Sequence, residues 1–375
     1  MNNLILPPAT IGIIGGGQLG QMLALAAKPL GYRVIVLDPT PNAPAGQVAD
    51  EQIIASYDDA AALRVLAQRV DVLTYEFENV DLMTLKDLGN LTPLPQGTEL
   101  LAITKNRLAE KSFIKNLGLP VTNFAEVKNV IDLDAAVQQV GLPAILKTVE
   151  GGYDGHGQWD IPDRDALAEL VAHWDDSIED TLILEHRIAF DFEISVMVTT
   201  DGNDDIRIWP MTQNEHHSHI LRTSIAQTNP NQKQLQKVQD IAKTIATAFG
   251  LKGVLGIEMF VQGNDIYINE LAPRPHNSGH LTIEGTNISQ FEGHIRSIVG
   301  LPIPEIQLQA PAMMLNLLGD KLTRARNDLV THPEWHFHDY SKAEIKPLRK
   351  MGHITVVGDT DIQALKEWEM ENHGD

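Results

Sequence analysis

Two glutamates, Glu258 and Glu270, are the acidic pair in the sequence best spaced to hold a metal ion. They flank the apolar alternation of VLGIEMFVQGNDIYINEL, which predicts a β-hairpin around Gly263–Asp265. If the loop spans those three residues, the two carboxylates lie opposite each other on one face. Adjacent carboxylates repel, a divalent cation removes that penalty, and oxygen ligands beside Asn269 favour Mg²⁺ carrying a nucleotide phosphate. The alternative is two solvated acids on an edge hairpin.

A lysine followed by a glycine-rich segment indicates a phosphate site. Lys147 ends the apolar strand PAILK and precedes GGYDGHGQ, where it could reach nucleotide phosphates while the segment closes over them. There is no G-x-x-x-x-G-K-[ST] motif, so this is not a P-loop. The alternatives are a strand-end lysine that reaches solvent and an ordinary long turn. The glycine content exceeds what a turn needs and favours a mobile lid, with glycines at Gly151, Gly152, Gly155 and Gly157.

A dense polar run follows the second strand of the hairpin. LAPRPHNSGH contains Arg274, His276, Asn277, Ser278 and His280, and polar loop residues of this kind often carry function. The alternative is a proline-stiffened surface loop. The sequence has no cysteine and no H-E-x-x-H or H-x-x-E-H pattern, so we expect no zinc site.

The segment IGIIGGGQLGQMLA carries the spacing G-x-G-x-x-G between a predicted strand and a predicted helix. With Asp38 at the end of the next strand, RVIVLD, this is the dinucleotide-binding fingerprint and suggests an NAD-dependent oxidoreductase. Free amides at a helix N-terminus bind phosphate, however, without specifying whose phosphate it is. The oxidoreductase hypothesis also explains nothing after about residue 100.

The elements that position these residues fall into three regions. Residues 1–105 alternate strands and helices, as a parallel sheet with crossover helices does. Its predicted strands are Thr10–Ile14, Arg33–Leu37, Gln52–Ala55 and Val72–Tyr75, and its predicted helices are Gln18–Leu30 and Asp59–Arg69. In residues 106–300 we predict the helix TKNRLAEKSFIKNLG, short strands at AILKTV and TLILEHRI, an antiparallel pair FEISVMVT and DIRIWPM, and the helix NQKQLQKVQDIAKTIATAFG. Residues 301–375 form a smaller mixed unit with strands near Ala312–Leu317 and His353–Val357.

Composition restricts the partners. The chain has 375 residues, 43% of them hydrophobic, and a formal net charge of −21, which argues against nucleic acid or an anionic membrane as partner. Anionic substrates must therefore meet local clusters of Lys, Arg or metal. The lack of cysteine suits a reducing cytosol, and the N-terminus shows neither a signal peptide nor a membrane span. We expect a cytoplasmic homodimer.

Taken together, several segments in this order resemble the ATP-grasp superfamily and, within it, the N5-carboxyaminoimidazole ribonucleotide synthetase (PurK) family. They are GGGQLGQM, TYEFENV, TKNRLAEK, GGYDGHGQ, LRTSIAQ, INELAPRPHNSGH, ISQFEGH and KMGHITV. The resemblance implies an α/β and α+β multidomain fold. Its parts are a Rossmann-like preATP-grasp domain (1–105), a two-lobed ATP-grasp module (106–300, with a small lobe at about 115–188 and a large lobe at about 189–300) and a small C-terminal domain (301–375). In the implied reaction, which belongs to purine biosynthesis, ATP, bicarbonate and 5-aminoimidazole ribonucleotide (AIR) react through carboxyphosphate. The products are ADP, phosphate and the N5-carboxy derivative of AIR.

The resemblance also implies an ATP site. Arg107 and Lys147 would contact phosphates, the strand edge Glu185–Ile188 would read adenine through its backbone, and Glu193 would bind the ribose hydroxyls. Mg²⁺, with Mn²⁺ as an alternative, would be held by Glu258 and Glu270. The full set implied for ATP is Arg107, Lys147, Gly152, Tyr153, Asp154, Gly155, His156, Gly157, Gln158, Glu185, His186, Arg187, Ile188, Glu193, His216, Asn269 and Glu270.

An AIR site is implied beside it, with Arg274, Tyr153 and Asp154 as catalytic residues. The substrate-binding set is Gln18, Leu19, Glu76, Tyr153, Asp154, Arg274, His280, Lys346, Arg349 and Lys350. Three positions depart from the family pattern. His156 stands where the family has Lys or Arg, Lys346 replaces an arginine and loses its bidentate fork, and Leu348 replaces a glycine.

Two alternatives remain beside this hypothesis. Another ATP-grasp ligase, such as a formate-dependent transformylase or a biotin carboxylase-like enzyme, explains the nucleotide half equally well but not GGGQLGQM together with GGYDGHGQ. An NAD-dependent oxidoreductase is more remote, and we expect no NAD at the first glycine loop.

Overall fold

A computed structural model describes residues 4–78, 80–151, 157–174 and 181–371. Its first region is a parallel sheet of strand order β3-β2-β1-β4. Apolar residues fill these strands because helices cover both faces of such a sheet. The elements are β1 (Thr10–Ile14), α1 (Gln18–Ala27), β2 (Arg33–Leu37), β3 (Glu51–Ile53), α2 (Ala60–Ala67), β4 (Val72–Tyr75), α3 (Leu82–Gly89) and α4 (Glu99–Thr104).

The next region contains an antiparallel sheet of order β5-β8-β6-β7, covered by two helices; we call it the small lobe. Its core is a separate apolar cluster that includes Val127, Val137, Leu146 and Leu184. The elements are α5 (Arg107–Asn116), which precedes the sheet, then β5 (Phe124–Val127), α6 (Leu133–Val140), β6 (Ala144–Thr148), β7 (Gln158–Ile161), α7 (Arg164–Ala172) and β8 (Leu182–His186).

The rest of the chain is built on one large antiparallel sheet of order β14-β13-β9-β11-β12-β15-β17-β16, with β10 paired to β9. The portion up to α10 is called the large lobe. The elements are β9 (Phe192–Thr200), β10 (Ile206–Ile208), β11 (Thr212–His217), β12 (Ile220–Ala226), α8 (Gln232–Phe249), β13 (Leu255–Gln262), β14 (Asp265–Ala272), α9 (Thr282–Gly285), α10 (Gln290–Ile298), β15 (Ala312–Leu318), α11 (Lys321–Asp328), β16 (His336–Asp339), β17 (Lys350–Val357) and α12 (Asp359–Glu371).

Most predicted elements lie where the sequence placed them. The first two and the fourth strand match their predicted bounds, and the FEISVMVT–DIRIWPM pair is antiparallel. Asp59, predicted to start the second helix, instead caps it by accepting from the amides of Ala61 and Ala62. The C-terminal strands are not a separate sheet, because β15 pairs with β12 of the large lobe.

His294 on α10 joins the first region to the large lobe. Its Nδ1 accepts a hydrogen bond from the amide of Val254 at 3.1 Å, so the neutral ring carries its proton on Nε2 and donates to Thr74 Oγ1 at 2.8 Å. The side chain is fully buried, and burial lowers its pKa from 6.5 to about 3. A proton on Nδ1 would oppose the Val254 amide, so this contact requires the neutral ring.

This contact predicts a pH-dependent stability. Below pH 6.5 this histidine is protonated in the unfolded chain but stays neutral in the folded protein. The contribution of neutral His294 to the free energy of unfolding is therefore fully present above pH 6.5 and is lost as the pH falls toward 3. At pH 5.5 the loss is about 1 kcal/mol. In urea unfolding, His294→Gln should therefore lose less stability between pH 7.5 and 5.5 than the unchanged protein. Exposed His336 supplies the control, His336→Gln, which should keep the original dependence. Identical slopes for all three proteins would contradict this role of His294.

Candidate active site

A cleft of about 1240 Å³ lies between the two lobes. Lys147 and Glu185 reach it from the small lobe, Glu193 and His216 from the large lobe, and Lys350 from the start of β17. Both basic and acidic side chains line its walls. It therefore supplies the local positive charge that an acidic protein needs to bind an anionic substrate.

The two predicted metal-binding carboxylates are paired, but not for the predicted reason. The hairpin loop has two residues, since Gln262 pairs with Asp265, so the three-residue loop was wrong. A β-bulge at Asn269 shifts the register by one residue, and this brings Glu258 opposite Glu270. The predicted juxtaposition is therefore confirmed.

Burial and mutual repulsion give the two carboxylates different acidities. Burial raises the pKa of Glu270, the charge of Glu258 raises it further, and Arg107, with Nη1 at 3.9 Å from Oε2, opposes both effects. Burial also acts on Glu258, but His276 outweighs it, with Nε2 at 3.0 Å from Oε1. The pKa of Glu258 is lowered to about 2. One carboxylate is thus held ionised beside a second that is harder to ionise.

Glu185 in β8 holds two buried lysines on a single oxygen. Its Oε2 lies 3.2 Å from Lys147 Nζ and 3.3 Å from Lys111 Nζ. Burial would raise the pKa of Glu185, but the two ammonium groups lower it below its usual value. Burial lowers the pKa of Lys147 in spite of the glutamate. Because Lys147 lines the cleft, this ion pair presents a partly desolvated cation to a ligand there.

A further acid–base pair lies on the large lobe. Glu193 Oε2 is 2.5 Å from His216 Nδ1. Burial lowers the pKa of His216, but the hydrogen bond and the charge of Glu193 raise it by more, so the net shift is upward. At another part of the wall, Arg274 Nη2 lies 2.9 Å from Glu78 Oε1. This pair joins the polar run after β14 to the segment after β4.

The first glycine loop already has acceptors for two of its amides. The amide of Gly16 donates to Asp38 Oδ2 and that of Gly17 donates to Glu76 Oε1, each at 2.8 Å. Asp38 also accepts from Thr40, as expected for a turn. Gly15 has φ +110°, and a Cβ there would lie 2.4 Å from Glu76 Cγ. The amides of Gly16 and Gly17 are therefore occupied by the protein's own carboxylates.

Most of the predicted ATP residues line the cleft together. Those present in its walls, with Arg274 and Lys350 of the substrate set, are Arg107, Lys147, Gln158, Glu185, His186, Arg187, Ile188, Glu193, His216, Glu258, Asn269 and Glu270. Gly157 adjoins β7, where its carbonyl accepts from Thr148 at 2.8 Å. Gly152, Tyr153, Asp154, Gly155 and His156 lie outside the described residues.

Several predicted substrate residues do not line this cleft. His280 is fully buried, with Nδ1 3.2 Å from Gln290 Nε2. Lys346 is largely exposed and pairs with Glu344 at 3.1 Å. Their assignment to the substrate stays a prediction. The remaining members outside its walls are Gln18, Leu19, Glu76 and Arg349.

The segment TYEFENV contributes two glutamates with different surroundings, and the assignment of Glu76 to the substrate stays a prediction. Glu76 is buried against the glycine loop, and burial raises its pKa, whereas Glu78 lines the cleft. Sequence reasoning also missed Glu110 and Lys111, which lie in α5 and are both buried. No local signal could have found them, because two consecutive charged residues can both lie on the polar face of a helix.

Three family models match the chain in sequence order. They are the ribonucleotide synthetase preATP-grasp domain over residues 8–105, the ATP-grasp domain over 112–291 and the phosphoribosylaminoimidazole carboxylase C-terminal domain over 312–367. The predicted multidomain fold class is thereby confirmed, and the protein is an enzyme of the ATP-grasp class.

Similarity to known proteins identifies the family within this class. The N5-carboxyaminoimidazole ribonucleotide synthase of Bacillus subtilis is 44% identical over 365 residues, which cover 97% of this chain and 95% of that protein. The crystal structure of an ADP complex of an N5-carboxyaminoimidazole ribonucleotide synthetase matches with a TM-score of 0.93 at 42% identity, covering 99% of this chain and 98% of that one. The Aspergillus clavatus synthase in complex with ADP and 5-aminoimidazole ribonucleotide matches with a TM-score of 0.86 at 32% identity, covering 98% and 99%. The chain belongs to the N5-carboxyaminoimidazole ribonucleotide synthase family of ATP-grasp ligases.

The Glu185 ion pairs lead to a prediction about stability. Glu185→Gln should leave two buried ammonium groups without their shared counter-charge and lower the free energy of unfolding by about 3 kcal/mol. Urea unfolding measures this change. Glu126→Gln on the neighbouring β5 is the matched control, because Glu126 pairs with Lys128 in solvent. Its effect should stay within about 0.5 kcal/mol. Equal effects of the two variants would contradict the buried ion pairs.

Proposed function

We propose that this protein carboxylates AIR with bicarbonate at the expense of ATP. A bicarbonate oxygen attacks the γ-phosphorus of ATP, ADP leaves, and carboxyphosphate forms. Breakdown of carboxyphosphate transfers its carbon dioxide unit to the AIR amine, and phosphate is released. The observation that carries the proposal is the Glu258–Glu270 pair facing a cleft lined by Arg107 and Lys147, in a chain of this family.

The residues fit a magnesium ion carried on nucleotide phosphate. Mg²⁺ is bound in such sites by one or two carboxylates, with phosphate oxygens and water completing its shell. Glu258 and Glu270, with Asn269 beside them, supply that donor set. Among the described residues, no cluster of three or more acids or histidines offers a metal site made of protein ligands alone. When bound, the ion neutralises phosphoryl charge, and Mn²⁺ is the alternative ion.

The remaining walls suit the other parts of ATP. Lys147 and Arg107 present cations for phosphate oxygens. We assign adenine to the backbone at Glu185–Ile188, where the amides of His186 and Arg187 already donate to Asn123 and Pro143, so Ile188 after the strand is the residue left to read it. Glu193 is an acceptor for ribose hydroxyls once His216 releases one of its oxygens. Phosphoryl transfer requires positioning and charge neutralisation more than a protein nucleophile, so the lack of cysteine is no obstacle.

The AIR site lies, in our proposal, where the first region meets the cleft, near Arg274 and Lys350. Carboxyphosphate is short-lived in water, so the site must exclude solvent during transfer. We assign that closure to the segment 152–158, with Tyr153 and Asp154 and the guanidinium of Arg274 beside the reacting atoms. A homodimer and a cytoplasmic location also belong to the proposal. Among the described helices, none is both long and apolar enough to cross a bilayer.

NAD is not a cofactor in this proposal. The fingerprint loop could bind a pyrophosphate through its amides, but Asp38 and Glu76 already accept from Gly16 and Gly17. Two buried carboxylates at the same place would also repel a dianionic ligand. The glycines of this loop admit those carboxylates rather than a dinucleotide.

Substrate dependence tests the reaction. ADP release should require AIR and bicarbonate together, because the phosphoryl acceptor and the carboxyl acceptor are both needed for turnover. Release should be measured with each omitted in turn, and with formate in place of bicarbonate. Equal rates with formate would favour a transformylase, and turnover without AIR would contradict the proposed acceptor.

The metal assignment predicts a loss of rate. Glu258→Gln and Glu270→Gln should each reduce turnover on the order of 100-fold, about 3 kcal/mol, because each removes a ligand that neutralises phosphoryl charge. Turnover should be measured across a magnesium titration. Exposed Glu305→Gln serves as the control and should behave as the unchanged enzyme. Near-normal rates at limiting Mg²⁺ in both cleft variants would exclude the pair as ligands.

A further inference from the structure

Two consecutive residues of α5 bond the backbone on both sides of Glu270. Lys111 Nζ donates to the carbonyl oxygen of Asn269 at 2.9 Å, and Glu110 Oε1 accepts from the amide of Leu271 at 2.7 Å. Both side chains are almost fully buried, at 3% exposure for Glu110 and 2% for Lys111. Burying two ionisable groups carries a large desolvation cost, so the contacts they make need an explanation.

The position of β14 supplies part of that explanation. It is the edge strand of the large sheet, so the side away from β13 has backbone groups without a partner strand. The chain after α5 covers this edge, where the amide of Ile268 donates to the carbonyl of Pro120 at 2.9 Å. Glu110 and Lys111 continue the coverage as far as Leu271.

The bulge gives these bonds a consequence for the carboxylates. Between the loop and the bulge, Met259 pairs with Ile268, and unbroken continuation would place Glu258 opposite Asn269. Since successive side chains of a strand point to opposite faces, Glu270 would then face away from Glu258. The extra residue at Asn269 is therefore what places both carboxylates on the cleft side, and its carbonyl is the group that Lys111 holds.

We propose that Glu110 and Lys111 are positioning residues that lock the Asn269 bulge and thereby set the Glu258–Glu270 pair for a divalent cation. Lys111 also pairs with Glu185 in β8, so the same ammonium connects the carboxylate pair to the small-lobe wall of the cleft. The inference rests on the proposed function, since it assumes that the pair binds a metal ion with nucleotide.

The test separates the hydrogen bond from the charge. Burial raises the pKa of Glu110, and Glu110→Gln keeps the shape of the side chain and an acceptor oxygen. Glu110→Met removes the acceptor at similar size, and Lys111→Met removes the donor. Lys115→Met is the control, because Lys115 lies on the same helix but is exposed.

Binding of Mn²⁺ in the presence of ADP should be followed by electron paramagnetic resonance, together with thermal unfolding and the kcat and KM for ATP. We expect Glu110→Met and Lys111→Met to weaken Mn²⁺ binding on the order of 10-fold, as loss of a group supporting a ligand does. Glu110→Gln and Lys115→Met should bind Mn²⁺ as the unchanged protein does. Hydrogen exchange at the Leu271 amide should accelerate in Glu110→Met only.

The outcomes are distinguishable. Lowered thermal stability with unchanged Mn²⁺ affinity in both methionine variants would reduce the pair to a structural role and overturn the inference. If Lys111→Met does not fold, the Glu110→Gln and Glu110→Met comparison decides alone. If Glu258→Gln also leaves Mn²⁺ binding unchanged, the metal assignment in the proposed function fails instead.

Discussion

Repulsion between two carboxylates that face each other is the constraint on which the arrangement of this cleft depends. Glu258 and Glu270 face each other on adjacent strands, where burial and like charge both oppose their ionisation. Basic side chains offset that repulsion: His276 lies against one carboxylate and Arg107 near the other. These contacts leave a site with an excess of acceptor oxygens, which is the environment that a hard divalent cation requires.

The same electrostatic logic appears in reverse at the first glycine loop. There the backbone supplies the donors, and the carboxylates of Asp38 and Glu76 occupy them. A loop that could bind a phosphate in isolation becomes a structural support for the end of β4, where the chain continues into the cleft at Glu78. The glycine spacing of a dinucleotide-binding motif is thus present here, while two of its amides donate hydrogen bonds to side chains of the protein itself.

The sequence predicts strands and helices well here because apolar periodicity and caps are local signals. It predicts the Glu258–Glu270 pairing too, although through a loop length that the structure does not have. A bulge and a one-residue change in loop length have the same effect on register, so the spacing of the two glutamates cannot distinguish them. The burial of His280 could not be predicted either, since it depends on packing against Phe291 and Tyr340, which are distant in sequence. The roles of Glu110 and Lys111 likewise depend on the edge of a strand more than 150 residues away.

The pairing of β12 with β15 explains how the last part of the chain contributes to this chemistry. Because β17 follows β15 in the same sheet, Lys350 at its first position is brought to the cleft, where its charge lowers the pKa of Glu258. The segment that precedes Lys350 contains a residue in an unfavourable backbone conformation. Leu348 adopts φ +60°, a left-handed conformation that favours glycine, and its side chain is exposed. Leu348 therefore adopts a backbone conformation that a glycine would adopt without strain. The position of Lys350 is set by the pairing of β17 in the sheet.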